Sequence, residues 1–576
     1  MAFSGFRVPL KWALAAVLLC AGTARADVRL EISGGDRALR DNIAAHIGPL
    51  PDADAIGRAY QRRARATALE AAEALGYYNA TIELTRVEEG EDSVLRIAVE
   101  PGPRVRIAAV DVTLSGEAEQ DPAFRELLDV LPLRVGAPLN HAEYESAKRA
   151  LQNLALRRGY FDAEYSASRV EVDAVDNSAR VTLAFDSGRR YAFGEVSFSP
   201  TPFRDELLRR LVPFKSGEPY HADAVADFNR ALLDSRYFRE VRVRPLPEQA
   251  EAGRVPVDVT LREQERNRIG IGVGYSTDVG PRLRLTWAMP WRNAMGHSLS
   301  TSLELSELRQ QITGQYQIPL SNPIRDFLEF QTGYQNEEFE DTDTERYTVS
   351  VQRQQTFDDG WQRSVFLRLD REQFEQADQV GDTTLVLPGL SFTRTRSSGG
   401  VDPVWGDRLL FSTEATDPLL GSDVRLGRVR LGARFLRGIS ERHRFFFRID
   451  TGGVWTREFE EVPPSLRFFA GGDQSVRGFA YNSLSPEADN GELIGGRYLI
   501  TGSAEYGWQW REKWRLSTFI DAGNAFDNPG EEPLRIGTGF GVAWISPVGP
   551  IRLDFAWGVS EDDPPFRVHF TMGPRL

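Results

Sequence analysis

The stretch PIRLDFAW, residues 550–557, sets Ile551, Leu553, Phe555 and Trp557 against Arg552 and Asp554. Successive side chains of an extended chain point to opposite faces, so this segment has one apolar face and one charged face. The pattern recurs along the C-terminal half. In FRVHFTM, 566–572, Phe566, Val568, Phe570 and Met572 oppose Arg567, His569 and Thr571. HSLSTSLELS, 297–306, sets Leu299, Thr301, Leu303 and Leu305 against Ser300, Ser302 and Glu304. SVFLRLDRE, 364–372, opposes Val365, Leu367 and Leu369 to Arg368 and Asp370. A soluble β-sandwich also alternates in this way. Strands of about ten residues, with Trp287, Trp291, Trp508, Trp510, Trp514, Trp544 and Trp557 near their ends, favour a membrane barrel instead.

Working outward, about sixteen such segments start near Arg268, Pro281, His297, Arg309, Asp326, Glu345, Trp361, Thr383, Asp407, Val424, Glu441, Gly496, Trp514, Ile536, Pro550 and Phe566. The number is even, as single-chain bacterial barrels have it. The 312 residues from Glu265 to Leu576 give about 20 per strand and connection, which suits that architecture. The gap between Thr456 and Gly495 is too long for an ordinary turn. The mean hydropathy of −0.37 does not argue against a barrel, because alternating strands average out as polar.

The chain begins with a secretory signal: Arg7 and Lys11, an apolar run from Trp12 to Ala21, then Ala24-Arg25-Ala26 as a cleavage site. The apolar run is too short to span a bilayer. Cys20 is the sole cysteine and leaves with the signal, so no disulfide frame, thiolate nucleophile or cysteine metal site is expected. Without Arg7, Lys11 and Arg25 the balance is 66 basic against 83 acidic residues, or −17. That balance argues against a nucleic-acid partner.

Between Asp27 and Gln264 a mixed pattern repeats. A helix, an aromatic pair and a strand recur with Tyr77-Tyr78, Tyr160-Phe161 and Tyr237-Phe238, at intervals of 83 and 77 residues. VEPGPRVRIAAVDV, 99–112, matches FDSGRRYAFGEVSF, 185–198. Each unit reads strand, helix, helix, strand, strand. In the second, Pro122 suits a first helical turn, Asn140 an N-cap with Glu143 three later, and Gly159 a helix stop. Small sheets with helices on one face leave strand edges open, and such an edge can take up an extended chain. Spacer modules would show the same pattern.

Three motifs then align: SVRGF, 475–479, in the long gap; FIDAG, 519–523, in a late strand; and GTGFGVAWISPVGPIRLDFA, 537–556, a strand, turn and strand. With three α+β units before them, they resemble the family of outer-membrane assembly and polypeptide-transport barrels that carry POTRA domains. The resemblance covers essentially the whole chain after the signal. Three units and a chain this short are most similar to its TamA-type branch, whose members work with a large inner-membrane-anchored TamB-like partner. The central assembly barrels usually carry five units. Two-partner secretion pores usually carry two, preceded by a plug helix not seen here. The C-terminal Gly-Pro-Arg-Leu departs from the aromatic end of many outer-membrane barrels.

The resemblance implies a place for GGDQSVRGFAYN, 471–482. The long loop folds back into the lumen, where Arg477 meets acids on the barrel wall. Asp521 of FIDAG matches one and Glu505 of GSAEYGW a second, with Val476, Gly478 and Phe479 completing the loop motif. An arginine out of bulk water needs bidentate acceptors, and carboxylates supply them. On its own, RGF would read as an exposed turn. IGIGVGY, 269–275, lacks the spacing of a dinucleotide fingerprint and precedes no helix. It reads as the first barrel strand, thinly packed at Gly270, Gly272 and Gly274. The last strand carries Val568 and Phe570 and ends at Gly573-Pro574. Meeting there, the two make a weak seam. The residues leave ordinary closure open, whereas the resemblance implies a lateral gate.

The six histidines are too scattered for a shared helical metal face, and no G-x-S-x-G occurs. Asp341, Asp343 and Glu345 read as a solvated acidic loop. No enzyme activity, metal or cofactor is expected. The organisation expected is a signal at 1–26, POTRA units at 27–103, 104–188 and 189–264, and a 16-strand transmembrane barrel at 265–576 with the lumen loop at 456–495. The resemblance implies a Gram-negative outer-membrane factor with its N-terminal domains in the periplasm. It would help unfolded β-barrel clients such as autotransporters into the lipid bilayer. A pore exporting one cognate protein through the lumen is the competing reading.

Overall fold

The computed structural model describes residues 28–573 apart from 90, 91, 529, 531 and 548. The expected signal with Cys20, Pro574 and the last two residues lie outside the described residues.

Three small sheets come first, each of three strands with the last strand of the unit in the centre. In the first, Val28–Ser33 and Thr81–Glu89 flank Asp92–Glu100. In the second, Arg106–Ser115 and Glu164–Asp173 flank Ser178–Asp186. In the third, Ala192–Phe198 and Phe238–Pro245 flank Arg254–Glu263. The helix ends follow the sequence signals. Asp121 caps Pro122–Val130 by accepting from Ala123 N, and Asn140 caps His141–Arg158 by accepting from Ala142 N. Gly159 stops that second helix in the left-handed region. Leu39, Ile43, Ala68, Ala71 and Ile97 form the first core; Phe124, Leu151, Tyr160 and Phe185 belong to the second unit's.

The repeated aromatic pairs mark junctions. Tyr78 OH and His141 Nε2 of the second unit are 2.7 Å apart. Phe161 packs edge-on against Tyr191 and Tyr220 of the third. Tyr237 OH donates to Gly296 O at 3.0 Å, in a barrel turn. Each pair therefore ties its unit to whatever follows, which explains why the pair repeats.

The remaining strands form one antiparallel sheet of sixteen, paired in sequence order from Arg268–Ser276 to Phe566–Met572. Val365, Leu367, Leu369, Ile449, Ile520 and Phe540 lie exposed on the outer face. The opposite parity carries buried polar groups such as Asp370, Glu414, Glu505, Asp521 and Asp554. That is the inversion a barrel in lipid requires. No described helix is long and apolar enough to cross a membrane.

Because strands alternate in direction, turns 290–297, 357–360, 399–404 and 512–513 share the end at which the first strand enters. Trp287, Trp361, Trp405, Trp508, Trp510, Trp514 and Trp544 sit near that end; Trp455 and Trp557 sit near the other. Trp291 does not join this belt. It is buried, donates Nε1 to Gln264 O and packs on Phe203. It follows the strand that ends at Met289 and seals the turn from within.

The loop 457–497 runs between the eleventh strand, His443–Thr456, and the twelfth, Tyr498–Arg511. It folds inward as a core of its own. Val462, Leu466, Phe468, Ala470, Val476 and Phe479 cluster with wall residues such as Leu385, Leu387, Leu499 and Ala525. Each fully buried large side chain there contributes about 1.5–3 kcal/mol. Short bridges Phe468–Gly496 and Ala470–Leu484 pair the loop's two arms.

The first and last strands are the two ends of the sheet order, and no ladder joins them among the described residues. They touch through Phe570 N, which donates to Thr277 Oγ1 at 3.2 Å, and through the Tyr275 and Phe570 rings, 5.7 Å apart. Where the sequence brings the two strands together, the structure thus shows one backbone-to-side-chain hydrogen bond and a ring contact in place of a ladder. The last strand is short, seven residues, and its contact falls where the first strand ends.

Candidate functional site

Arg477 lies at the tip of the inward loop, 3% exposed. Its Nε donates to Asp521 Oδ2 at 2.7 Å and its Nη2 to Asp521 Oδ1 at 2.9 Å. This is the bidentate pairing that a planar guanidinium makes with a carboxylate. Its Nη1 donates to Glu505 Oε2 at 3.0 Å. Both acids expected from the sequence are therefore in contact with it. The same Nη1 reaches Asp554 Oδ2 at 3.1 Å, a third acid that the motif comparison missed. Its signal was present: Asp554 is the charged face of PIRLDFAW, on the same inward parity.

Two further arginines balance the cluster. Arg552 pairs with Asp554 and lies 3.6 Å from Glu505, and Arg448 donates Nη2 to Ser475 O. Three carboxylates thus face three guanidinium groups out of water. Removing one member leaves the others uncompensated, at a cost of about 3–5 kcal/mol. Phe519 of FIDAG lies under the Arg477 guanidinium, 3.4 Å from ring centroid to Cζ. The motif supplies both an ion pair and a π-face from one strand, Trp514–Phe526.

Glycines let the tip approach the wall this closely. A Cβ on Gly537 would fall 1.8 Å from Arg477 O. Gly478 has φ +98°, and a Cβ there would fall 2.8 Å from Gly558 N. An L side chain at Gly478 is excluded by backbone conformation as well as by space. Val476 is fully buried, and Phe479 fills the space left by Gly558.

The loop tip also holds the last strand. Gly478 N donates to His569 Nε2 at 3.2 Å, so that nitrogen acts as an acceptor and carries no proton. His569 Nδ1 lies 3.3 Å from Asp278 Oδ1, in the turn after the first strand. Asp278 Oδ2 accepts Asp473 N at 2.6 Å. Burial first, and the Asp278 carboxylate second, push the Asp473 carboxyl up to about 7. His569, Asp278 and Asp473 were not singled out in the sequence. His569 was visible only as the polar face of FRVHFTM.

Gly270, Gly272 and Gly274 lie opposite Thr286, Arg284 and Arg282 and leave the inner face of the first strand bare. Ile269, Ile271 and Val273 on its outer face are 78%, 72% and 76% exposed. Val568 and Phe570 pair with Phe555 and Leu553. Gly573 donates N to Pro550 O at 3.0 Å and closes that ladder. Asp341, read as solvated, accepts Leu493 N of the loop at 2.9 Å.

Comparison with known proteins agrees with this geometry. Residues 266–576 match the model of the Omp85 superfamily domain. Residues 29–101 match the first POTRA domain of TamA, and 110–188 and 191–264 match the POTRA model described as a surface antigen variable number repeat. The chain is 24% identical over 519 residues to the outer membrane protein assembly factor BamA of Nitratidesulfovibrio vulgaris, covering 85% of this chain and 64% of that one. It is 22% identical over 580 residues to BamA of Neisseria meningitidis serogroup B, covering 86% and 70%. The chain thus spans 64% and 70% of these two relatives' lengths. The crystal structure of BamA from Haemophilus ducreyi lacking POTRA domains 1–3 superposes with a TM-score of 0.69 at 17% identity, covering 81% of this chain and 99% of that one, a likeness of fold. The chain belongs to the Omp85 superfamily: it is an outer-membrane β-barrel carrying three POTRA domains on its periplasmic side.

Proposed function

We propose that this chain assembles other proteins into the outer membrane, with the seam between its first and last strands as the place of insertion. One observation carries the reading: the first strand ends the sheet without a ladder on its outer side, and the short last strand, laddered only to the strand before it, meets it through the Phe570 amide on Thr277 and a ring contact. An unpaired edge in lipid leaves backbone N–H and C=O groups without partners, which is costly. An incoming client strand satisfies them. The driving force is the client's own gain of paired backbone and buried apolar face, and no nucleotide is involved. The POTRA sheets, with the first and penultimate strands of each unit at the edges, receive the extended client by strand addition. The match of residues 29–101 to the first TamA POTRA domain supports placement in the TamA-type branch. On that placement the clients include autotransporters, and a TamB-like partner anchored in the inner membrane works with the POTRA units.

A crosslink tests this. The sole cysteine is Cys20, in the signal. Tyr275→Cys with Phe570→Cys, bridged across the seam, should stop insertion of a β-barrel client and recover on reduction. Continued insertion through a fully bridged seam would overturn the reading and favour passage through the lumen.

A further inference from the structure

We propose that the outer face of the barrel at its periplasmic rim carries a binding site for the phosphate group of an anionic phospholipid. The site is built on the eighth to tenth strands, Gln379–Ser398, Trp405–Thr416 and Leu426–Gly438. Arg394 and Arg396 stand near the end of the first of these, Trp405 and Asp407 at the start of the second, and Arg437 at the end of the third. Their register places all five on the face that carries Phe392, Phe411 and Phe435, turned to lipid. By strand direction this is the rim at which the POTRA units enter.

The charge is unbalanced. Asp407, 1% exposed, sits beneath the group. It accepts Arg396 Nη2 at 2.8 Å and lies 3.6 Å from Arg394 Nη2. Asp402, in the adjoining turn, is taken by Arg444 and Arg515. One buried carboxylate therefore faces the Arg394 and Arg396 guanidinium groups, and Arg437, whose Nη1 donates to Gly406 O and Leu436 O, adds a third cation with no carboxylate of its own, so the group carries two positive charges in excess. Arg396 and Arg437 lie over the same indole, with Cζ atoms 5.5 and 5.1 Å from the Trp405 ring. Arg394 lies 4.9 Å from the Trp361 ring, and its Nε is buried with no hydrogen-bond partner among the described residues. Two like charges over one ring repel each other, and an anion lying between them would offset that repulsion.

The position selects the anion. A free ion can bind anywhere that water reaches, but this face continues into lipid-exposed apolar residues. Tryptophan belongs at the headgroup level, and guanidinium groups pair bidentately with phosphate. A phosphodiester over Trp405 would place its acyl chains along Leu409, Phe411 and Leu431. Such a site would fix the depth of the barrel on the side away from the seam.

The test uses the full chain in mixed vesicles of phosphatidylglycerol and phosphatidylcholine, extracted gently and weighed with its retained lipids by native mass spectrometry. The wild type should retain phosphatidylglycerol about fivefold over its mole fraction, and Arg394→Gln/Arg396→Gln/Arg437→Gln should lose that preference. Heat-modifiable migration on gels shows whether the variant has folded. Arg282→Gln/Arg284→Gln, which removes two charges from the lumen side, should keep the preference and acts as the control if the triple variant folds poorly. Equal retention of both lipids by the wild type would overturn the proposal, as would unchanged preference in the folded triple variant. Loss of the preference with excess inorganic phosphate would show a site for the free ion, and would overturn the lipid assignment.

Discussion

The wall that receives the loop and the seam that closes the barrel are made of the same element and behave as opposites. The twelfth to fifteenth strands pair along long ladders, and their inner face is cut to fit the loop tip. Gly537 and Gly558 give way to backbone and to Phe479, and Asp521, Glu505 and Asp554 converge on Arg477. The seam has no ladder among the described residues, a first strand with a bare inner face, and a last strand that reaches across to it only through Phe570, His569 and their partners. Strength in a sheet is therefore distributed by where the lumen side chains are placed. Where charged groups converge on the loop tip, the wall is clasped from within; at the seam, Gly270, Gly272 and Gly274 offer nothing for such a clasp. His569 joins the two regions, because it touches both the loop tip and the turn beyond the first strand.

The comparison can be broken from the wall side. Arg477→Ala should have the largest effect, destabilising the folded barrel by about 3–5 kcal/mol, because three carboxylates lose a shared partner. Urea unfolding followed by gel migration measures it. Asn482→Gly in the same loop, at φ 54° where glycine is at ease, should change stability by less than about 0.5 kcal/mol. Equal effects would remove Arg477 from its central place. Gly537→Ala comes next, at about 1–3 kcal/mol, since the added methyl meets the Arg477 carbonyl.

Two smaller changes sharpen the link between the regions. His569→Phe removes the acceptor for Gly478 N and the partner of Asp278, and should cost about 1–2 kcal/mol. It should loosen the seam more than the wall, read as faster thiol labelling at Tyr275→Cys than at a cysteine in the thirteenth strand. The mildest effect is one of pH. The fold raises the Asp473 carboxyl from its ordinary 3.8 to about 7, so it favours the protonated form. Docking of the loop tip is fully supported by this group at low pH and weakens as pH rises towards about 7, where the group ionises beside Asp278. Protease sensitivity of the loop should rise over that interval in the wild type and stay flat in Asp473→Asn.

Much of the barrel was legible because lipid on one side and a polar lumen on the other impose a two-residue period on every strand. Val365, Leu367 and Leu369 against Arg368 and Asp370 give that period away without any tertiary knowledge. Asp521 and Glu505 were legible through short motifs, and the structure sets both against Arg477. Asp554, His569 and Asp278 were not. They come from strands and turns far apart in sequence, and only the ladder register brings them to one height in the barrel. Trp291 was misplaced for a related reason: tryptophan near a strand end suits a membrane rim or a sealed turn, and only packing on Phe203 decides between them.

Hydrogen–deuterium exchange on the full chain in a membrane mimic tests the central claim most directly. Amides of the first strand, 268–276, are compared with those of the thirteenth, 514–526. In the first strand, alternate N–H groups point towards the second strand and towards the seam. The seam-facing set should exchange about a hundredfold faster or more than any inward-docked amide of the thirteenth strand, which has a ladder on both sides. Equal protection of the two strands would show a barrel closed as firmly at the seam as at the wall, and would contradict this account.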